Sequence, residues 1–211
     1  IPEFVIGFHT GDWHSAFSAY RKWARKSLAT VKTPDWVQKG ALFSLAHRAS
    51  IGDRYCVRTV DGVDVFLMSS WWNYPNRPET GGTREYFYRE DWGGAKGLKQ
   101  AVDEAHARGV KVVYYLEGIA FPAQFARGED GEKFDSICSR QLIDGGVEHG
   151  SMCPGSVVWQ DYLAETCARL IRDTGADGIY LDSICQCPPL PCYKPEHNHK
   201  YPNQTCNHDV A

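Results

Sequence analysis

No apolar run in this chain of 211 residues is longer than a β-strand, so no segment of it is read as a membrane-spanning helix. Neither charge dominates. The 23 Lys and Arg against 26 Asp and Glu leave a formal net charge of −3, which gives no electrostatic footprint for nucleic acid or an anionic membrane. The opening Ile1-Pro2-Glu3-Phe4 lacks the basic start and apolar stretch of a secretory leader. The chain also does not begin with Met and is read as a fragment, so the missing leader excludes nothing about export. Paired Cys-x-x-Cys knuckles are absent too. The Cys-x-Cys and His-x-His spacings near the C-terminus fit structural zinc patterns only loosely. No cofactor and no metal ligand is assigned on this reading.

Cysteine itself is plentiful. Of eight, Cys185, Cys187, Cys192 and Cys206 crowd the last part of the chain, while Cys56, Cys138, Cys153 and Cys167 are scattered. An even number suits disulfides in an oxidising compartment, and the sequon Asn203-Gln204-Thr205 agrees with that setting. The expectation is an extracellular or other oxidising location, with at least one disulfide joining two of the four C-terminal cysteines. Cys167 lies beside an apolar helix stripe and reads as a buried thiol.

Phe4–Phe8 reads as a strand. Asp12 then caps a helix with Trp13, Ala16, Phe17, Tyr20, Trp23, Ala24 and Leu28 on one face. The Arg21, Lys22, Arg25 and Lys26 cluster opposite reads as a solvated face. After Pro34 the chain alternates short apolar runs with amphipathic helices. Strands are expected at 41–46, 63–68, 110–116 and 178–181, with helices from Gly97 to Arg108 and from a Ser156 cap to a stop at Gly175. Such alternation predicts a parallel sheet covered on both faces. Residues 49–62 show no helical period and leave the first crossover without an explanation. Residues 118–155 form a polar stretch far longer than an ordinary strand-to-helix loop.

Candidate chemistry collects just after the strands. His47 and Arg48 follow the first, Trp71 and Trp72 the second, Glu117 the third and Asp182 the fourth. Parallel α/β enzymes build their sites at these C-terminal strand tips. Two carboxylates on neighbouring strands beside tandem tryptophans point to carbohydrate: apolar sugar faces stack on rings, and carboxylates act as nucleophile, acid or hydroxyl acceptor. Asp182 is the candidate catalytic residue. His47, Trp71, Trp72 and Glu117 are candidate substrate contacts, although core packing would equally explain the tryptophans. Asp177, at the other end of the last strand, belongs to the stability face.

Several of these motifs together resemble a known family. Gly11-Asp12-Trp13-His14 with Tyr20-Arg21-x-Trp23, Met152-Cys153-Pro154-Gly155-Ser156, Gly175 through Asp182, and Cys192-Tyr193-x-Pro195-x-His197-x-His199 are similar to a family of glycoside-hydrolase-like barrel proteins related to the α-galactosidase and α-glucosidase clan. The resemblance implies that Asp182, after barrel strand four, is the nucleophile of a retaining enzyme and that the general acid lies beyond Ala211. It implies an α/β fold comprising the N-terminal half of a (β/α)₈ TIM barrel over 41–211, a linker helix over 11–40, and the end of a lost N-terminal β-sandwich over 1–10. Many α-galactosidases carry Lys two residues before the nucleophile, where Tyr180 stands here. The loop carrying His197 and His199 is expected to be braced by disulfide over the site, with both imidazoles contacting sugar hydroxyls. The implied partner is a carbohydrate, not nucleic acid or membrane. The rival readings are a non-catalytic carbohydrate-binding barrel and a zinc-stabilised hydrolase using the C-terminal Cys/His cluster.

Overall fold

A computed structural model describes residues 8–27, 32–40, 42–46, 49–58, 61–69, 71–72, 86–121, 129–183 and 191–199. The chain divides into two compact units, Ile1–Gly40 and Ala41–Ala211. In the first, helix α1 (Trp13–Ser27) starts where Asp12 accepts the His14 backbone N–H at 3.0 Å, satisfying one of the amides that a helix N-terminus leaves unpaired. Arg25 and Lys26 occupy its last turn, the favourable end of the helix dipole for cations. The short α2 (Asp35–Lys39) follows Pro34. The strand expected at Phe4–Phe8 lies outside the described residues except for Phe8, which is in no strand.

The second unit is organised by a four-stranded parallel sheet. Its strands are β1 (Phe43–Ala46), β4 (Val65–Met68), β5 (Lys111–Glu117) and β8 (Gly178–Asp182), adjacent in that order. Helix α3 (Gly94–His106) joins β4 to β5, and α5 (Val157–Thr174) precedes β8. Ser156 caps α5 by accepting from the Trp159 backbone N–H at 3.5 Å. Gly175 ends it in the left-handed region at φ +74° and returns its N–H to Ile171, a conformation costly for a residue with a Cβ.

Strand β5 alternates strictly. Val112, Tyr114 and Leu116 are buried, while Lys111, Val113, Tyr115 and Glu117 are half-buried. The buried set shares one core with Leu98, Ala101, Val102 and Ala105 of α3 and Trp159, Leu163 and Leu170 of α5. Because α3 and α5 also pack on each other, both helices lie on the same side. Among the described residues the helices cover one face of the sheet, not two as the apolar runs predicted. Strands added in sequence order, each returning on the same side, leave the second face to Val113, Tyr115, Glu117, Tyr180 and Asp182.

The connection that lacked a helical period is a small hairpin, β2 (Ser50–Ile51) with β3 (Arg54–Tyr55). Its Tyr55 is buried and fills the role of a crossover helix. The hydroxyl donates to the Trp71 carbonyl at 2.7 Å and accepts the Arg89 backbone N–H at 2.7 Å. The long segment after β5 also carries structure: α4 (Glu129–Cys138) and an antiparallel hairpin of β6 (Ser139–Gln141) and β7 (Val147–Met152). Fully buried Asp135 holds these pieces together. It accepts from Ser139 Oγ at 3.0 Å and Gly150 N at 2.8 Å, and pairs with His149.

At the N-terminal strand ends, Asp177 receives His106 Nε2 at 2.7 Å, Lys111 Nζ at 2.8 Å and the Val112 backbone N–H at 2.9 Å. Desolvation acts to raise its carboxyl pKa, but these three donors outweigh it and hold the group below the usual range. A carboxyl with a depressed folded-state pKa contributes stability above its unfolded value, about 3.9. That contribution is lost as pH falls through the folded value. Asp177→Ala is therefore expected to cost about 2–3 kcal/mol at neutral pH, the scale of hydrogen bonds to a charged group. The gap from wild type should close in acid, as read by urea denaturation across pH.

Candidate active site

Strand register places Glu117 opposite Asp182 at the C-terminal edge of the sheet. One layer below, Tyr115 lies opposite Tyr180, with ring centroids 5.9 Å apart and planes inclined by 21°. In a strand, residues two apart share a face, so the two carboxylates and the two phenols form one patch. The Tyr115 hydroxyl contacts both carboxylates, Glu117 Oε1 at very short range and Asp182 Oδ2 at 2.6 Å. One hydroxyl holds one proton, so it serves one carboxylate at a time and couples the pair. Desolvation first, then these two hydrogen bonds, push the Tyr115 pKa far above its ordinary value. The phenol therefore remains a donor at any physiological pH.

The two carboxylates are held differently. Glu117 has both oxygens engaged: Oε1 by Tyr115 and Oε2 by Ser183 Oγ at 3.0 Å. Its backbone is clamped as well, since buried Tyr86 accepts from Glu117 N at 2.7 Å and donates to Glu117 O at 3.0 Å. Asp182 is anchored through Oδ2, whereas Oδ1 meets the Tyr180 hydroxyl only at 3.4 Å. Its carbonyl accepts from Gly118 N at 2.8 Å. The next residue, Ser183, sits at φ +65°. Left-handed backbone at a residue with a side chain is strained, and such strain concentrates at functional sites.

The tryptophans pack into the core beneath this edge. Trp71 is fully buried and Trp72 nearly so. Trp71 packs on Tyr86 and Tyr114 with centroids 6.0 and 5.5 Å away, and its indole N–H donates to the Tyr115 carbonyl at 3.0 Å. Trp72 stacks on Tyr115 at 6.2 Å, nearly parallel. Burial of such large apolar rings favours the core position, and from there they fix Tyr115. On the open face Tyr115 is half-buried and Tyr180 is 42% exposed. His47 and Arg48 lie outside the described residues.

His197 and His199 stand among sulfur. Cys153, Cys192, His197 and His199 bring one ligand atom each to within 4.8 Å of one another. Cys192 carries no disulfide; Cys185, Cys187 and Cys206 lie outside the described residues. Its thiol pKa is lowered, first by hydrogen bonding with Cys153, against desolvation, then by His197 and by the Gln141 and Lys194 amides. At Cys138 burial outweighs the Ser156 hydrogen bond and Lys194, and the thiol is pushed up to about 11. The C-terminal Cys/His cluster of the zinc reading contains Cys192, His197 and His199; Cys153 is remote from them in sequence, and no local spacing joins it to them.

Residues 2–203 match DUF6259, a domain of unknown function, and the chain belongs to that family. A relative from Bacteroides thetaiotaomicron bearing the name "Putative glycoside hydrolase" is 22% identical over 93% of this chain and 31% of its own length. Another so named, from Monosiga brevicollis, is 20% identical over 92% of this chain and 20% of its own. The chain thus spans under a third of these relatives. Among solved structures, the Bifidobacterium bifidum α-N-acetylgalactosaminidase in complex with GalNAc aligns over 93% of this chain and 37% of its own, at TM-score 0.57 and 17% identity. An Anoxybacillus α-amylase aligns over 74% and 43%, at TM-score 0.50 and 13% identity. The mixed α/β fold with its parallel sheet is similar to that of these glycoside hydrolase structures.

Proposed function

We propose that this chain is the nucleophile-bearing part of a retaining glycoside hydrolase acting on an oligo- or polysaccharide. The observation that carries this reading is the Glu117–Tyr115–Asp182 array at the C-terminal edge of adjacent parallel strands, where parallel α/β barrels place their chemistry. Strands in sequential order, with α3 and α5 on one side, suit the first half of a (β/α)₈ barrel whose interior faces Tyr115 and Tyr180. The names of the relatives and the fold of the solved neighbours support the same class.

In this mechanism Asp182 attacks the anomeric carbon and forms a covalent glycosyl–enzyme. A general acid from outside these residues protonates the leaving oxygen, and water then releases the sugar. Tyr115 fixes Oδ2 of Asp182 and leaves Oδ1 for the attack. Glu117, with both oxygens already holding hydroxyls, exchanges one of them for a sugar hydroxyl. Tyr180 offers its exposed ring face to the substrate in place of the lysine that many α-galactosidases carry.

A second reading has support in the same array. Two carboxylates contacting one hydroxyl are close enough for a nucleophile–acid pair of a retaining enzyme, whose separation is about 5–5.5 Å; Glu117 would then be the acid. A non-catalytic carbohydrate-binding barrel is the remaining alternative. Titrating the intact protein with an oligosaccharide panel, while following both binding and product release, separates these. Release with retained anomeric configuration is expected. Binding without any release would favour the binding module.

A further inference from the structure

The structure assigns Cys153, Cys192, His197 and His199 as a zinc site, closed by four protein ligands, that ties the chain following the candidate nucleophile to the insertion between β5 and α5. A tetrahedral zinc ion with two sulfur and two imidazole ligands spaces its donor atoms about 3.3–3.8 Å apart. The recorded separations are 3.2 Å from Cys153 Sγ to His199 Nε2 and 3.4 Å from Cys192 Sγ to His197 Nδ1. All four donors lie within 4.8 Å of one another, so contraction by no more than about 1.5 Å completes the tetrahedron. Two thiols and two imidazoles on one centre is a zinc donor set; calcium and magnesium take oxygen.

The surroundings suit a metal as well as the donors do. Cys153, Cys192 and His197 are at most 2% exposed. His197 Nε2 lies 2.7 Å from the Ile137 carbonyl; a carbonyl can only accept, so Nε2 keeps its hydrogen and donates it in this bond, and Nδ1 of the neutral ring is the bare nitrogen toward Cys192. A ligating histidine ordinarily has such a partner on its second nitrogen. Asn198, at φ +48°, turns the chain between the two imidazoles. Gly155 lets that turn come close: a Cβ there would stand 2.4 Å from the His197 carbonyl and 2.7 Å from His199 Cε1. The two motifs Met152-Cys153-Pro154-Gly155 and Cys192 through His199 are thus halves of one site.

Four protein ligands leave no coordination position for substrate or water, so the role is structural. Cys153 follows β7 and donates its N–H to Cys138 O at 2.8 Å. The 191–199 segment lies along the same insertion. Arg140 reaches Pro191 O at 3.1 Å, Tyr193 N reaches Gln141 O at 3.0 Å, and Lys194 Nζ reaches Ile137 O at 3.1 Å. Zinc would lock these contacts and anchor the far end of the chain that leaves Asp182. This site stands independently of the glycosidase reading.

The test is metal analysis of the purified chain expressed with zinc, then dialysed. One zinc per chain is expected. Cobalt substitution should give the strong visible absorption of a tetrahedral ion together with thiolate-to-cobalt charge transfer. Cys153→Ser and Cys192→Ser should each lower zinc affinity by more than the roughly 10–100-fold that outer-shell changes cost, while Cys167→Ser keeps the full content. Alkylation of the native protein avoids any folding defect in the variants: zinc should protect Cys153 and Cys192 until a chelator is added. A Cys153–Cys192 disulfide in an unreduced peptide map would overturn the assignment. So would zinc that depends on Cys185, Cys187 or Cys206 instead, or a protein that neither retains zinc nor protects these thiols.

Discussion

Asp182→Asn is expected to lower turnover of the intact enzyme roughly ten-thousand-fold, the scale seen when one member of a covalent machinery is removed. KM should change little. The substitution keeps the volume and a hydrogen-bonding group toward Tyr115, which holds Oδ2 at 2.6 Å, but removes the charge that attacks the anomeric carbon. What is lost is an interaction made in the transition state, so kcat and kcat/KM should fall together. Unchanged stability of the variant, measured by urea denaturation, would separate this effect from misfolding. Near-normal turnover would reduce Asp182 to a strand-end aspartate that orders Ser183.

Glu117→Gln is expected to act the other way round. Glu117 binds two hydroxyls already, from Tyr115 and Ser183, and its role is to hold a sugar hydroxyl by a charge-assisted bond. Loss of that charge should raise KM about 10–100-fold, which corresponds to the roughly 1.5–3 kcal/mol of a hydrogen bond to a charged group. It should lower kcat less than tenfold. If Glu117 is instead the general acid, kcat collapses with leaving groups that need protonation and survives with activated ones. The pair of variants, measured on poor and activated leaving groups, therefore assigns both carboxylates.

Much of the frame was legible because its signals are local. Ser156 and Gly175 bracket α5 by cap chemistry, and the apolar runs gave all four strands of the sheet within a few residues. Asp182 and Glu117 could be placed because strand-end carboxylates need only the strand to be located. What escaped the sequence depends on distant contacts. The β2–β3 hairpin and the α4–β6–β7 insertion are held by Tyr55, Asp135 and Arg140, whose partners lie far along the chain or in short polar segments. The tryptophans stay open between sugar contact and core packing in the sequence because nothing local distinguishes a strand-end ring that turns inward. Tyr115 could have been found: it stands two residues before Glu117 in a strand, hence on the same face. The place of Cys153 beside Cys192, His197 and His199 could not, since it joins them only through the fold.

The most direct measurement of the central claim is covalent trapping. The intact enzyme is treated with a fluorosugar inactivator matched to whichever glycoside it turns over, then digested and mapped by mass spectrometry. The account predicts one sugar on the peptide containing Asp182, attached at that carboxylate, with labelling abolished in Asp182→Asn. A label on Glu117 or on any other carboxylate, in an enzyme that retains anomeric configuration, would contradict it.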